Sequence, residues 1–218
     1  MMTRREAHRT VLSGAILAAA PGLAQAAALP IIDLPAPQTS GGKPLMQAIA
    51  ERRSVRSFAP RPLPGEILSN LLWAAYGINR PASGDRTAPS WRHFIALEIH
   101  LATAEGVWRY EPKAHRLLPQ RPGDIRAATG SQDFVAQAPL NLIYVADGER
   151  MDDTPAAERQ LYARVDAAFI GQNVYLFAAS AGLATVFRGA LNAGKLGQIL
   201  SLPPSQFVTF AQSVGYPA

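Results

Sequence analysis

Apolar residues recur at helical spacing in three stretches of the chain. Residues 44–58, PLMQAIAERRSVRSF, carry them at Leu45, Met46, Ile49 and Ala50, which predicts a helix ending near a run of arginines. Residues 64–78, PGEILSNLLWAAYGI, set Ile67, Leu68, Leu71, Leu72 and Ala75 on one face, with Pro64 to start the helix and Gly77 to end it. Residues 156–181 form the longest helical pattern, and from Ala167 onward nearly every position is apolar. A helix that is apolar all round is buried on most sides, inside a thick domain or against another subunit.

The remaining apolar runs have strand character. HFIALEIHL (93–101) alternates, GVWRYEP (106–112) and RLLPQ (116–120) read as a hairpin, and PLNLIYVAD (139–147) is apolar enough for a strand covered on both faces. GLATVF (182–187) and QFVTFAQSVG (206–215) predict the last strands, with a short helix at AGKLGQIL (193–200) between them. One or two short helices are expected in GDIRAATGSQDFVAQA (123–138), and NRPASGDRTAPS (79–90) reads as a loop. No internal repeat or second domain boundary is visible, so the pattern predicts one mixed α+β domain, a sheet covered by helices, over 44–218. Ahead of it, residues 27–43 are rich in proline and glycine and suit an extended linker.

The first residues follow another logic. MMTRREAHRT is basic, VLSGAILAAAPGLA is apolar, and AQA at Ala24–Ala26 offers a cleavage site, so residues 1–26 read as an export signal and the protein as periplasmic or exported. The Arg4–Arg5 pair resembles a twin-arginine signal, although Ala7 and His8 stand where Phe-Leu is usual, and a general secretory signal competes with it. An N-terminal amphipathic helix or anchor is the other reading; the apolar run is too short to span a bilayer and is interrupted by Pro21 and Gly22.

Composition then removes whole classes of chemistry. The 218 residues are 48% hydrophobic and 17% charged, enough for one sizeable core. No cysteine is present, which excludes disulfides, thiolate metal sites and cysteine nucleophiles, and His8, His93, His100 and His115 lack metal-ligand spacing, so no metal is expected. The formal charge of +5 falls to +3 once residues 1–26, with three arginines and one glutamate, are set aside. That charge is scattered, without the patch a nucleic acid would need.

One cluster stands out. ERRSVRSF (51–58) puts Arg52, Arg53 and Arg56 around Ser54, and guanidinium forks with a hydroxyl suit an anion with several oxygens. The alternative is a solvated helix end whose arginines pair with Glu51 and Glu66.

ERRSVRSF after an opening helix is similar to the flavin-phosphate motif of the nitroreductase superfamily. LLWAAYGINR (71–80) followed by RTAPS (86–90) resembles the segment leading to the flavin ring, especially in the SagB/thiazoline-oxidase-type dehydrogenase branch. GVWRYEP, GDIRAATGSQDFVAQAPLNLIYVAD and DAAFIGQNVYLFAASAGLATV resemble its middle portion and interface helix, so the resemblance spans residues 44–217. It implies a three-layer α-β-α fold with a mixed, mostly antiparallel central sheet, a domain-exchanged homodimer, and FMN at the subunit interface. By that resemblance Arg52, Arg53, Ser54 and Arg56 bind the FMN phosphate and ribityl chain, Ser90 lies beside the isoalloxazine, and Arg188, Gly189 and Ala190 fall where backbone N–H groups meet the ring. The implied chemistry is two-electron transfer through flavin N5 to or from a small organic molecule such as a quinone or nitroaromatic, with NAD(P)H as a donor only if the protein stays where NAD(P)H is available.

The sequence departs from the branch in three places. Trp91, Arg92 and His93 stand where small residues usually follow RTAPS; they are candidates for the substrate pocket, or the start of a strand with Trp91 in the core. No late basic residue follows the final strand. Leu161 replaces the lysine of the Lys-Tyr pair of thiazoline-oxidising members, while Tyr162 is kept, so no catalytic side chain is assigned. An exported, non-catalytic flavin- or ligand-binding relative is the competing function.

Overall fold

The computed structural model describes residues 28–218, and the expected export signal lies outside the described residues. Nine strands form two sheets: β1 (Ile32–Asp33), β2 (Ile78–Arg80), β3 (Asp85–Arg86), β4 (Leu97–Ala102), β5 (Gly106–Glu111), β6 (Arg116–Pro122), β7 (Leu140–Asp147), β8 (Ala184–Arg188) and β9 (Gln206–Gly215). β2 and β3 pair only with each other. The other seven are ordered β1-β6-β5-β4-β7-β9-β8. The expected sheet was mixed and mostly antiparallel, and every pairing among the described residues is antiparallel.

Five α-helices are found among the described residues: α1 (Leu45–Glu51), α2 (Gly65–Tyr76), α3 (Phe134–Gln137), α4 (Ala156–Ala181) and α5 (Ala193–Ile199). α2 and α4 cover one face of the sheet, where Leu71, Leu72, Ile170 and Val174 meet Ile99, Leu101, Leu142 and Tyr144. α5 covers part of the other, where Leu196 meets Ile143, Val145 and Val208. β7 alternates between these two cores and is buried along almost its whole length, because helices lie on both sides of it.

The stretch read as a linker is extended and also joins the sheet. Ile32 and Asp33 pair with β6, the Trp108 Nε1–H donates to the Pro30 carbonyl, and Leu29 and Leu34 pack on the main core. Two glycines have a geometric task in α4. Gly182, with φ of 70°, ends the helix in the left-handed region, and its N–H donates to the Ala178 carbonyl. A Cβ on Gly171 would stand 2.4 Å from the Phe187 ring, so its absence lets β8 pack closely on α4.

α4 is not buried all round. Leu161, Val165 and Phe169 line one exposed stripe at intervals of four, 55%, 38% and 45% accessible. α1 packs beside α4 and also leaves its own apolar residues, Leu45, Met46 and Ile49, exposed. Of the four apolar positions that predicted α1, none faces the core; Ala48 is its buried residue.

Candidate functional site

β8 is the last strand of the sheet, so the N–H and C=O groups of alternate residues point away from β9 along a free edge. The loop after α1 is fastened to that edge. The Val55 N–H donates to the Thr185 carbonyl at 2.9 Å, and the next edge donor, the Phe187 N–H, reaches the Tyr175 hydroxyl at 2.9 Å. That same hydroxyl hydrogen-bonds Ser54 Oγ at 2.7 Å, so one tyrosine of α4 joins the loop to the strand. The next residue of this parity is Gly189, and neither its N–H nor that of Ala190 is engaged among the described residues.

The loop arginines do not pair with any carboxylate among the described residues. Glu51 bonds Lys43 and Gln47 instead, and these hydrogen bonds hold its carboxyl below the usual range. The Arg53 Nε–H donates to the Glu51 carbonyl at 3.2 Å, the Arg52 guanidinium lies 5.2 Å from the Tyr175 ring centroid, and Arg56 is exposed. Glu66 takes no part. Arg52, Arg53, Ser54 and Arg56 therefore sit together as a fixed basic loop, beside a cavity of about 190 Å³ lined by Arg53, Val55, Tyr175 and Thr185.

Arg188 stands apart from its neighbours Gly189 and Ala190. Its side chain turns to the opposite face of the sheet from Tyr175, is 3% exposed, and donates to the Thr129 carbonyl and Asn141 Oδ1 at 2.8 and 2.9 Å. No carboxylate is near it, and burial draws its pKa down to about 10. Only its backbone belongs to the loop at the edge. The Ala190 carbonyl accepts from the Ser131 N–H, which ties that loop to the segment holding Arg188.

The second group lies further towards the N-terminal end of α4, around Asp166 and Tyr162. Ser90 Oγ is 3.3 Å from the Tyr76 hydroxyl, and the Trp91 N–H donates to both oxygens of Asp166 at 3.1 Å. Trp91 stacks on Tyr162 with centroids 3.9 Å apart and packs against the main core. Arg92 and His93 are the exposed pair, at φ of 51° and 60°, a left-handed turn that costs bulky residues energy. Asp166 is 2% exposed with no cation beside it; burial pushes its carboxyl up to about 6, against the pull of the Trp91 N–H.

One chain does not bring the two groups into contact. Their anchors on α4, Asp166 and Tyr175, are nine positions apart, about 13 Å along the axis at ~1.5 Å per residue. Sequence reasoning missed Tyr175, Asp166 and Tyr76. Asp166, the acidic residue immediately before the apolar half of α4, was the available signal.

The Nitroreductase family model matches residues 49–216. A nitroreductase homologue of Methanocaldococcus jannaschii is 34% identical over 168 residues, 72% of this chain and 84% of its own. The crystal structure of a nitroreductase homologue from Ralstonia eutropha matches 91% of this chain and 96% of its own at 40% identity, with a TM-score of 0.83. The NADPH:FMN oxidoreductase of Vibrio harveyi, solved with NAD+, matches 79% of this chain and 68% of its own at 25% identity, with a TM-score of 0.59. The fastened basic loop, the open edge of β8 and these matches have one consequence: the chain belongs to the nitroreductase family.

Proposed function

We propose that this protein is an FMN-dependent oxidoreductase acting on a small organic electron acceptor or donor such as a quinone or nitroaromatic. The carrying observation is the basic loop fastened to β8, with three arginines lacking carboxylate partners and the Gly189 and Ala190 N–H groups unused along the same edge. These residues fit FMN: Arg52, Arg53, Ser54 and Arg56 would hold its phosphate, and the two N–H groups its ring. FMN, when bound, supplies the two-electron transfer. The chain's part is to bind and orient. Because Val55 and Ser54 are tied to the sheet, the donors are fixed before binding, which lowers its entropic cost.

The site is completed in a homodimer. The stripe of Leu161, Val165 and Phe169 on α4, with the exposed Leu45, Met46 and Ile49 of α1, is the apolar surface such a dimer would bury. An antiparallel crossing of two α4 helices near Val165–Phe169 sets the Tyr162 end of one beside the Tyr175 end of the other. The Ser90–His93 turn of one chain would then face the partner's basic loop. Trp91 stacks on Tyr162, so Arg92 and His93 are the pocket residues left to meet substrate. Kinship with the SagB-type branch rests on RTAPS and is weakened at Leu161, which is exposed on the stripe. Export to the periplasm would exclude NAD(P)H and call for a quinol or a protein donor.

The test is the absorbance spectrum of the full chain purified without added cofactor. Flavin bands, with FMN released on denaturation, are expected. A colourless protein that also refuses added FMN would overturn the oxidoreductase reading and leave a non-catalytic relative.

A further inference from the structure

A second cationic site lies outside the flavin region, where β4 and β5 part. The two strands pair only at His100–Arg109, Leu101–Trp108 and Ala102–Val107, although β4 begins at Leu97 and β5 ends at Glu111. The unpaired ends spread around a cavity of about 160 Å³, lined by Tyr76, Arg86, Glu98, Arg109, Lys113 and Arg150 among others.

Charge in this wedge is unbalanced. Glu98, 8% exposed, is shared by Arg150 at 2.6 Å and Arg109 at 3.5 Å, with His100 at 3.7 Å. Burial works to raise its pKa, and His100 and the two arginines overrule it, holding the carboxyl at about 2. The other nearby carboxylate, Glu111, is bonded to Arg116 at 2.6 Å. Arg86 and Lys113 are left without a carboxylate among the described residues.

Arg86 is the decisive residue. Its Nε and Nη1 are buried and have no hydrogen-bond partner, and its guanidinium lies 5.3 Å from the Tyr76 ring centroid. Desolvation lowers its pKa, but an arginine stays charged. A half-buried cation with two desolvated, unused donor atoms is costly unless something in the cavity accepts from them. A guanidinium N–H turned into the cavity can donate to an oxygen of an anion there.

We propose that the wedge between β4 and β5 binds a small oxyanion, a carboxylate or a phosphate, on Arg86, with Lys113 and Arg109 closing the rim. The space is a few water volumes, at ~30 Å³ each, which admits the anionic head of a ligand and little more. Tyr76 separates the wedge from Ser90, since its ring carries Arg86 and its hydroxyl meets Ser90 Oγ. The site does not depend on the flavin reading.

The experiment titrates the full chain carrying R53A and R56A, which silences the basic loop, with inorganic phosphate and with acetate at fixed ionic strength against chloride. Melting temperature and titration heat are followed. A saturable rise with either anion is expected, abolished by Arg86→Gln and weakened at least threefold by Lys113→Ala. Saturation by phosphate alone identifies a tetrahedral anion; saturation by acetate identifies a carboxylate site. No saturable response, as from a wedge holding only water, or an equal response in R86Q, overturns the proposal. Should R86Q fail to fold, the exposed Lys113 decides: unchanged affinity in K113A overturns it.

Discussion

Two stretches of α4, the one nearer its N-terminal end around Asp166 and the one nearer its C-terminal end around Tyr175, each use one polar side chain to hold a neighbouring segment, and they do so in opposite surroundings. At the far end the Tyr175 hydroxyl bonds Ser54 and the edge N–H of Phe187 beside exposed arginines. At the near end the Asp166 carboxylate holds the Trp91 N–H from inside the core. A neutral hydroxyl fixes a cationic loop without cancelling its charge, so the loop stays free to bind an anion. A buried carboxylate fixes a backbone turn at the cost of desolvation, which makes that end sensitive to pH.

The largest effect tests the far end. Replacing Arg53 and Arg56 with alanine should leave stability within about 0.5 kcal/mol, since both are exposed. It should weaken FMN binding by roughly 10²- to 10⁴-fold, at ~1.5–3 kcal/mol for each charge-assisted hydrogen bond. Fluorescence titration with FMN measures it; unchanged affinity would place the phosphate elsewhere. The two ends can be uncoupled next. Phe169→Glu puts a charge in the exposed stripe and should yield a folded monomer by sedimentation, with most flavin affinity lost. A dimer that survives the change would break the argument that the ends meet across two chains.

The near end is tested by pH. Burial raises the Asp166 carboxyl from the ordinary aspartate range to about 6, so the folded chain binds its proton more tightly than the unfolded chain does. Its contribution is fully present below about pH 4 and is lost as pH rises to about 6, a difference of at most ~3 kcal/mol. Asp166→Asn keeps an acceptor for the Trp91 N–H and should remove that dependence, so denaturant curves of variant and wild type should diverge between pH 4 and 7. Parallel curves would refute the burial argument. Between the ends, Gly171→Ala should cost about 1–3 kcal/mol by crowding Phe187, read from the denaturation midpoint. The smallest change, Tyr175→Phe, should cost ~1 kcal/mol and loosen the loop, seen as faster hydrogen exchange at Val55 and Phe187. Unchanged exchange there would remove Tyr175 from the role of anchor.

Periodicity and composition determined the elements: three helices and the central strands followed from local spacing, because a helix or strand must turn its apolar face to a core wherever that core lies. The motif ERRSVRSF likewise made an anion site legible, since its arginines are adjacent in the chain. Tertiary structure alone decided what those residues do. Leu45, Met46 and Ile49 predicted a helix correctly and face solvent in the single chain, because a pattern does not say whether the covering surface belongs to the same molecule. Arg188 sits next to Gly189 in sequence, and strand alternation sends its side chain to the far face of the sheet, where it bonds Thr129 and Asn141 and leaves only its backbone beside Gly189. Tyr175 and Asp166 carry no motif because their partners lie 121 and 75 residues away, and such long-range contacts exist only once the chain has packed.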